Sequence, residues 1–513
     1  VIDSLVETHL DHVIMGSGIE AASLNALSVN SLTLVNLSFG VAVSTGANAA
    51  GAGVGMVAIN VYRASTVVEA TGSTIDVSGS GAIALTAFDE SALSATAGGI
   101  ALSSGATAVG VAIAVNIAAE AENDASQTRG TEVLLTGSTL SSGSGLLSTI
   151  ATSDLTMVSI AVGVAVSKSL ALAGSAAVNR NDIGTKVLVD EASTLAGDGS
   201  LRVEAVDVSD HTTIAGGVGV AFDPGKGGAG GAGIAVTIVD TPVSASVHGT
   251  VTMTQDASIT ARADQTNVTV AIGGAGSGGF ALGGSVAVTT VNGDVTTSVA
   301  PTTAKTWSVR DLTVAAQDSS SVVSIAGALG VGLDFGGVGA AFGTITSNRS
   351  ITSTINGPVS ITASGLVQVT AGSEKPVGAG TDNAYLDAAI DGLGDDAFSQ
   401  DDNALDKTDL RSQMVNITAA GGGSKMVGIG FNLAYTEVDR EISAKVTGGA
   451  TLTLTNDETT TITNGETGQT KGLLVKADDA SGIVVVSVGA AGAVGPDSPI
   501  AVAVAGSVAY SNI

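Results

Sequence analysis

Ala108-Val109-Gly110-Val111-Ala112-Ile113-Ala114-Val115 is the stretch that decides how this chain folds. Every second residue is β-branched, and those between are Ala or Gly. A period of two is the signature of a β-strand, because successive side chains leave opposite faces. One face here is bulky and the other tiny. Val and Ile can pack one interface, while Ala and Gly let a neighbouring sheet or chain approach closely. Residues 161–166 (AVGVAV) and 233–238 (GIAVTI) repeat the pattern. The apolar run Val109 to Ala119 is shorter than the ~20 residues a membrane-spanning helix needs. It also alternates, so it reads as a strand.

Working outward, the strand belongs to a repeat. Ile83-Ala84-Leu85-Thr86-Ala87-Phe88-Asp89 matches Leu201-Arg202-Val203-Glu204-Ala205-Val206-Asp207. Leu312 to Asp318 and Leu473 to Asp479 follow the same template, and Ile259 to Asp264 is a shorter version. Asn30 and Ser153 stand in the Asp register of two other copies. Positions 30, 89, 153, 207, 264 and 318 give spacings of 59, 64, 54, 57 and 54, with a further copy near Gly372. Ala97-Gly98-Gly99, Ala215-Gly216-Gly217 and Ala326-Gly327 each begin eight residues after the Asp. Turn formers such as Ser103-Ser104-Gly105 and Asp223-Pro224-Gly225 separate the strands. Repeats of this kind cannot bury an apolar face alone, and stacking gives them a continuous core. The expected fold is all-β: an elongated β-solenoid of stacked modules of 55–60 residues. An extended β-sandwich of long hairpins is the alternative architecture.

Composition supports thin layers. Gly accounts for 70 of 513 residues and aromatics for 3%, with one tryptophan, Trp307. Nothing large is at hand to fill a deep interior. The formal charge of −28 repels phosphate backbones and anionic lipid, so no nucleic-acid partner is expected. There is no cysteine, which excludes disulfides and thiolate chemistry. No signal peptide is visible, and both ends read as cut from a longer polypeptide.

The organisation expected is a β-repeat array over residues 1–375, about six modules, then an insertion over 376–411, then a resumed array over 412–513. The insertion departs from strand alternation and reads as an acidic loop or short helical segment. It carries Asp395, Asp396, Asp401 and Asp402, the candidate ligands for calcium, which takes several oxygens at about 2.5 Å. Their spacing fits no EF-hand loop, and a solvated acidic loop is the competing reading. A second polar stretch, Asn456 to Lys471, reads as a solvated turn. The recurring Asp residues read as turn formers that cap their own backbone. Asn60, Asn116 and Asn179 close equivalent strands and could stack as an amide ladder. Thr237 and Thr289 replace them in other copies, so ordinary polar strand ends would suffice. His9 and His12 would share a helical face with Asp11, but two histidines do not make a zinc site. The run 225–233 (GKGGAGGAG) lacks the phosphate-loop Lys-Ser/Thr and leads into a strand. No catalytic constellation stands out, and no enzyme activity is expected.

The units AGGIALSSGATAVGVAIAVN (97–116) and AGGVGVAFDPGKGGAGGAGIAVTIVD (215–240) resemble those of very large bacterial β-strand-repeat surface proteins. The leukotoxin-like filamentous adhesins are the nearest such family, with the filamentous-haemagglutinin class a looser likeness. The resemblance implies secretion, display at the cell surface and an extended β-solenoid stalk, and it transfers no functional residue. It leaves three roles: a structural rod or filament, an adhesin contacting another cell through residues 376–411, or the stalk of a toxin whose active domain lies elsewhere. The expected partners are further copies or neighbouring repeats of the same chain, and for the adhesin a cell-surface ligand.

Overall fold

The alternating segments become strands longer than the repeat consensus suggests. Leu147–Ser167 runs unbroken for 21 residues, fusing two segments that the sequence divides at the Asp register. A turn follows, and Leu170–Asp182 and Thr185–Val189 return across the first strand. The short strand Thr194–Gly197 closes the coil before the next long strand begins at Leu201. The computed structural model describes every residue except 17–22, 47–49, 123–127, 225, 374–411, 456–471, 480, 495–500 and 513. Among the described residues the long-strand layer recurs eight times, and no helix occurs.

Each residue hydrogen-bonds in register with its equivalent one coil away: Leu147 with Leu201, Ala161 with Ala215, Ser167 with Ala221. The result is three parallel sheets of 11, 14 and 8 strands. We call them the long, opposing and short sheets. The only antiparallel ladder among the described residues is the pair Ala121–Arg129 and Glu122–Thr128. A hairpin sandwich would be antiparallel throughout, so that alternative is excluded and the chain is a β-solenoid. At ~3.3 Å per residue a coil is about 70 Å wide, and eight coils at ~4.8 Å rise only about 38 Å. This stretch is therefore a slab, broader than it is tall. Six complete long-strand layers precede the insertion, which interrupts the seventh between Leu366–Ser373 and Ser412–Ser424.

The interior changes character across the coil. At the wide end, where the short sheet closes the third side, Ile75, Leu85, Leu135, Leu140 and Val251 form an aliphatic core. Trp307 is buried there, and its Nε1 donates to the Gly249 carbonyl at 2.9 Å. A buried polar layer comes next. Beyond it the coil narrows to a two-layered blade whose interior is Ala and Gly, including Ala97, Ala112, Ala161, Ala215, Ala235 and Ala271. The sheets approach so closely that a Cβ on Gly99 would lie 2.6 Å from the Val111 carbonyl oxygen, and one on Gly233 2.5 Å from that of Ile272. The tiny face thus serves the close approach expected of it. Branched side chains line the interior at the wide end and beside the polar layer, as at Leu93, Leu155 and Ile345; in the middle coils of the blade Val and Ile point outward, because little larger than Ala fits between the sheets.

Neighbouring residues of one strand test this inversion. Ala112 is fully buried and Val111 is exposed on the outer face. Ala112→Phe should destabilise the protein by about 3 kcal/mol or more through overpacking, whereas Val111→Phe should stay within about 1 kcal/mol. Chemical denaturation followed by Trp307 fluorescence reads both, and equal effects would contradict the assignment of faces.

Candidate functional site

Two of the recurring Asp residues are not turns: Asp89 and Asp207 lie within continuous long strands and face inward, fully buried. Asp318, also buried, ends its strand and accepts from the Ser320 backbone N–H at 3.2 Å, and Asp479 accepts from that of Ser481 at 3.1 Å, the backbone capping expected of them. The register also corrects the sequence alignment. Ala263, not Asp264, pairs with Asp207 and Asp318, and Asp318 pairs with Ser373 rather than Gly372. Asp264 is one residue off and faces outward, where it pairs with Arg262 at 3.0 Å. The aligned column therefore reads Asn30, Asp89, Ser153, Asp207, Ala263, Asp318, Ser373. Buried carboxylates occupy alternate coils, about 10 Å apart. On adjacent coils they would sit at half that distance in a poorly screened interior, where like charges repel strongly.

Each carboxylate has a dedicated partner set. Ser91 Oγ donates to Asp89 at 2.7 Å, and Tyr62 OH donates at 3.2 Å. Burial pushes the Asp89 pKa up to about 6, against the hydrogen bonds from Ser91, Tyr62 and Asn30. Asp207 accepts from Ser209 at 2.6 Å, Thr241 at 3.0 Å and Gln265, and burial raises its pKa too. Gln265 Oε1 accepts from Arg349 Nη2 at 2.9 Å, and Arg349 Nη1 donates to Asp318 at 2.9 Å. Arg440 Nη2 lies 3.2 Å from Asp318 as an ion pair off the hydrogen-bond angle. Burial opposes ionisation of Asp318, but the Arg349 and Arg440 guanidiniums outweigh it and hold its pKa below the usual carboxylate range. Arg440 reaches on to Asp479 at 3.7 Å. A single polar chain thus links the fourth coil to the eighth. Sequence reasoning missed Arg349 and Arg440, although an Arg at an inward position of an alternating strand is itself a signal.

A second buried column lies at the base of the blade. Asn60 Nδ2 donates to Asn116 Oδ1 at 2.9 Å, and Asn116 Nδ2 to Asn179 Oδ1 at 3.0 Å. Asn179 Nδ2 donates to Thr213 Oγ1 at 2.9 Å, and hydroxyl contacts at 2.7–2.8 Å continue through Thr237, Thr269 and Thr289. The amide ladder therefore forms, with threonine extending it; these are not ordinary strand ends. His211 and Asn267 face inward on adjacent coils, and burial lowers the His211 pKa to about 4, which keeps the ring neutral near pH 7.

Of the other sequence candidates, those within the described residues gather no chemistry. Asp395, Asp396, Asp401 and Asp402, the insertion 376–411 and the polar stretch 456–471 lie outside the described residues. His9 lies in the strand Ile2–Asp11 rather than on a helix, 3.0 Å from Glu7; His12 follows it at positive φ, 2.5 Å from Asp11. No group of three or more metal-ligating side chains occurs among the described residues. The glycine run enters the strand Gly228–Asp240, as its pattern predicts.

What the coil does present is its outer blade surface. Val162, Val218, Ile272 and Leu329 are exposed on the long-sheet face; Leu172, Ile234, Leu282 and Phe431 on the opposing face. Among the described blade residues, charges occur only in the turns at the tip: Lys168, Asp223, Lys226, Asp334 and Lys425. An apolar notch lies at that edge, lined by Val220, Phe222, Pro224, Val331 and Leu333, beside the 2.9 Å Asp334–Lys425 ion pair. This surface is the candidate functional site, and it suits contact rather than chemistry.

The raised Asp89 pKa makes a signed prediction. The folded state holds this proton more tightly than the unfolded chain, so the contribution is full below about pH 4 and is lost as pH rises through about 6. A rise from 3.8 to about 6 corresponds to about 3 kcal/mol. Asp89→Asn lacks this titration, so its stability relative to the parent should increase by that amount between about pH 3.5 and 7. A difference independent of pH would contradict the burial of an ionisable carboxyl here. Comparison of the chain with protein-family models, curated proteins and solved structures returned no match.

Proposed function

We propose that this chain is a section of a structural rod, a stalk or filament segment of a large secreted surface protein, and not an enzyme. The observation that carries this reading is the state of the longest edge strands. Leu24–Ser44 at one end of the stack, and Ser481–Ala493 and Val502–Asn512 at the other, contain no charged residue and no proline, and charged edge strands lie at the wide end, such as the shorter Ile2–Asp11 and Gly472–Asp478. Exposed β-edges are normally guarded by charge, proline or bulges, because an unguarded edge pairs with whatever strand it meets. Edges of this kind suit the addition of further coils along the same axis, from neighbouring repeats or from another copy. The buried polar columns support the same role, since they hold coils in one register over the length of a stack. The resemblance to filamentous adhesins supports the same reading, with the rod displayed outside the cell.

Negative-stain microscopy of concentrated protein tests the reading. The expected objects are stacks about 70 Å wide and of variable length. Isolated slabs of about 70 by 40 Å at every concentration would contradict it.

A further inference from the structure

We propose that the two outer faces of the blade are lateral assembly surfaces, and that each is covered by the blade of a second copy of this chain. The inference uses the solenoid geometry and does not depend on end-to-end growth, so it can fail or stand independently of the rod reading.

Parallel sheets are ordinarily covered on both faces. Here the inner faces are closed by tight packing within the coil, and the outer faces stay apolar and open. Leu329 is 54% exposed on one face and Phe431 51% on the other. The apolar area is far larger than a typical monomer leaves bare. A blade face about nine residues long and seven coils high spans roughly 30 by 34 Å, or about 1,000 Å². A stable interface needs about 800 Å² from each partner, while a lone monomer seldom exposes a patch above ~600 Å². Each face is large enough to hold a dimer.

The faces are also flat. Several bulky outward side chains lie over a glycine at the register position of the next coil: Phe39 over Gly98, Leu172 over Gly230, Phe280 over Gly336, Leu329 over Gly421, Phe431 over Gly506. The contact is close. A Cβ on Gly336 would lie 3.0 Å from the Phe280 ring, one on Gly230 3.1 Å from Leu172, and one on Gly421 3.1 Å from Leu329. Each large group thus fills the space that a neighbouring side chain would take. A smooth sheet face suits packing against another sheet at ~10 Å.

Charge selects the occupant. The faces themselves are uncharged, so two copies can meet there although each chain carries −28 overall. A bilayer fits less well. Entering it tip first would drive Lys168, Asp223, Lys226, Asp334 and Lys425 into hydrocarbon, where charge is expensive. Lying flat on anionic lipid would set the acidic chain against like charge.

Outward substitutions in the middle coils test this without touching the end coils. One variant carries Val218→Glu, Ile272→Glu and Leu329→Glu on the long-sheet face. A second carries Leu172→Glu, Ile234→Glu and Leu282→Glu on the opposing face, and a third combines all six. Circular dichroism and Trp307 fluorescence verify that each folds. Sedimentation, with particle width read by microscopy, should find the parent associating side by side at ~100 µM or below. Each single-face variant should stop at pairs, and the six-fold variant should lose lateral association by ~100-fold or more. Lateral association unchanged in the folded six-fold variant would overturn the proposal. So would a parent that stays one blade wide, and flotation with phosphatidylcholine vesicles in that case would assign the faces to lipid instead.

Discussion

The governing constraint is that every residue in a parallel, in-register solenoid has its own equivalent as a neighbour, about 4.8 Å above and below. A side chain is tolerated only if it stacks on itself or on its substitute one repeat away. Alanine, valine and glycine do this readily. Asparagine and threonine do it by passing hydrogen bonds along the column, as from Asn60 to Thr289. Aromatic rings do it by stacking, as Tyr435 on Tyr510 with centroids 5.4 Å apart, or by lying over a glycine, as at Phe39, Phe280 and Phe431.

Charge obeys the same rule most strictly. A buried carboxylate in every coil would form a column of unscreened like charge, and the column instead alternates Asp with Ser or Ala. Where carboxylates remain, the chain supplies hydrogen-bond donors or cations. Asp89 sits among hydroxyls and an amide with its pKa raised, and Asp318 sits between two guanidiniums with its pKa lowered. Isolated buried ion pairs contribute little net stability, because desolvation offsets attraction, but losing one partner is costly. A network such as Asp207–Gln265–Arg349–Asp318–Arg440 therefore acts mainly against slippage. A shift of one residue would turn every one of these groups to the outside.

The sequence made the strand period, the repeat and the solenoid legible, because those depend on alternation that survives divergence between copies. The tiny face was legible at Ala108 to Val115 for the same reason. Register was harder. Asp264 resembles its neighbours in the alignment, yet coils differ in turn length, and a one-residue error reverses a side chain's direction without altering the apparent motif. The role of the Asp column was hidden for a related reason: Asp with Ser close behind it has the composition of a turn, and only the unbroken 21-residue strands place Asp89 and Asp207 inside. Outward exposure of Val and Ile in the blade was not legible either, since a period of two says that the faces differ and not which one meets water. Arg349 and Arg440 gave a signal that went unread, as the repeat consensus contains no arginine at those positions.

Every feature above follows from coils stacked in parallel with a fixed register, and the absence of cysteine allows a clean test of that stacking. Ser258 and Thr313 are register partners on adjacent coils, whereas Thr260 pairs with Ala315 and stands diagonal to Thr313. Partners in register lie about 4.8 Å apart, within disulfide range, and the diagonal pair about 8 Å apart, beyond it. The pair Ser258→Cys with Thr313→Cys should oxidise to an intramolecular disulfide in the folded protein, and Thr260→Cys with Thr313→Cys should not. Cross-linking of the diagonal pair in preference to the register pair, or of neither, would contradict the stacking on which everything else depends.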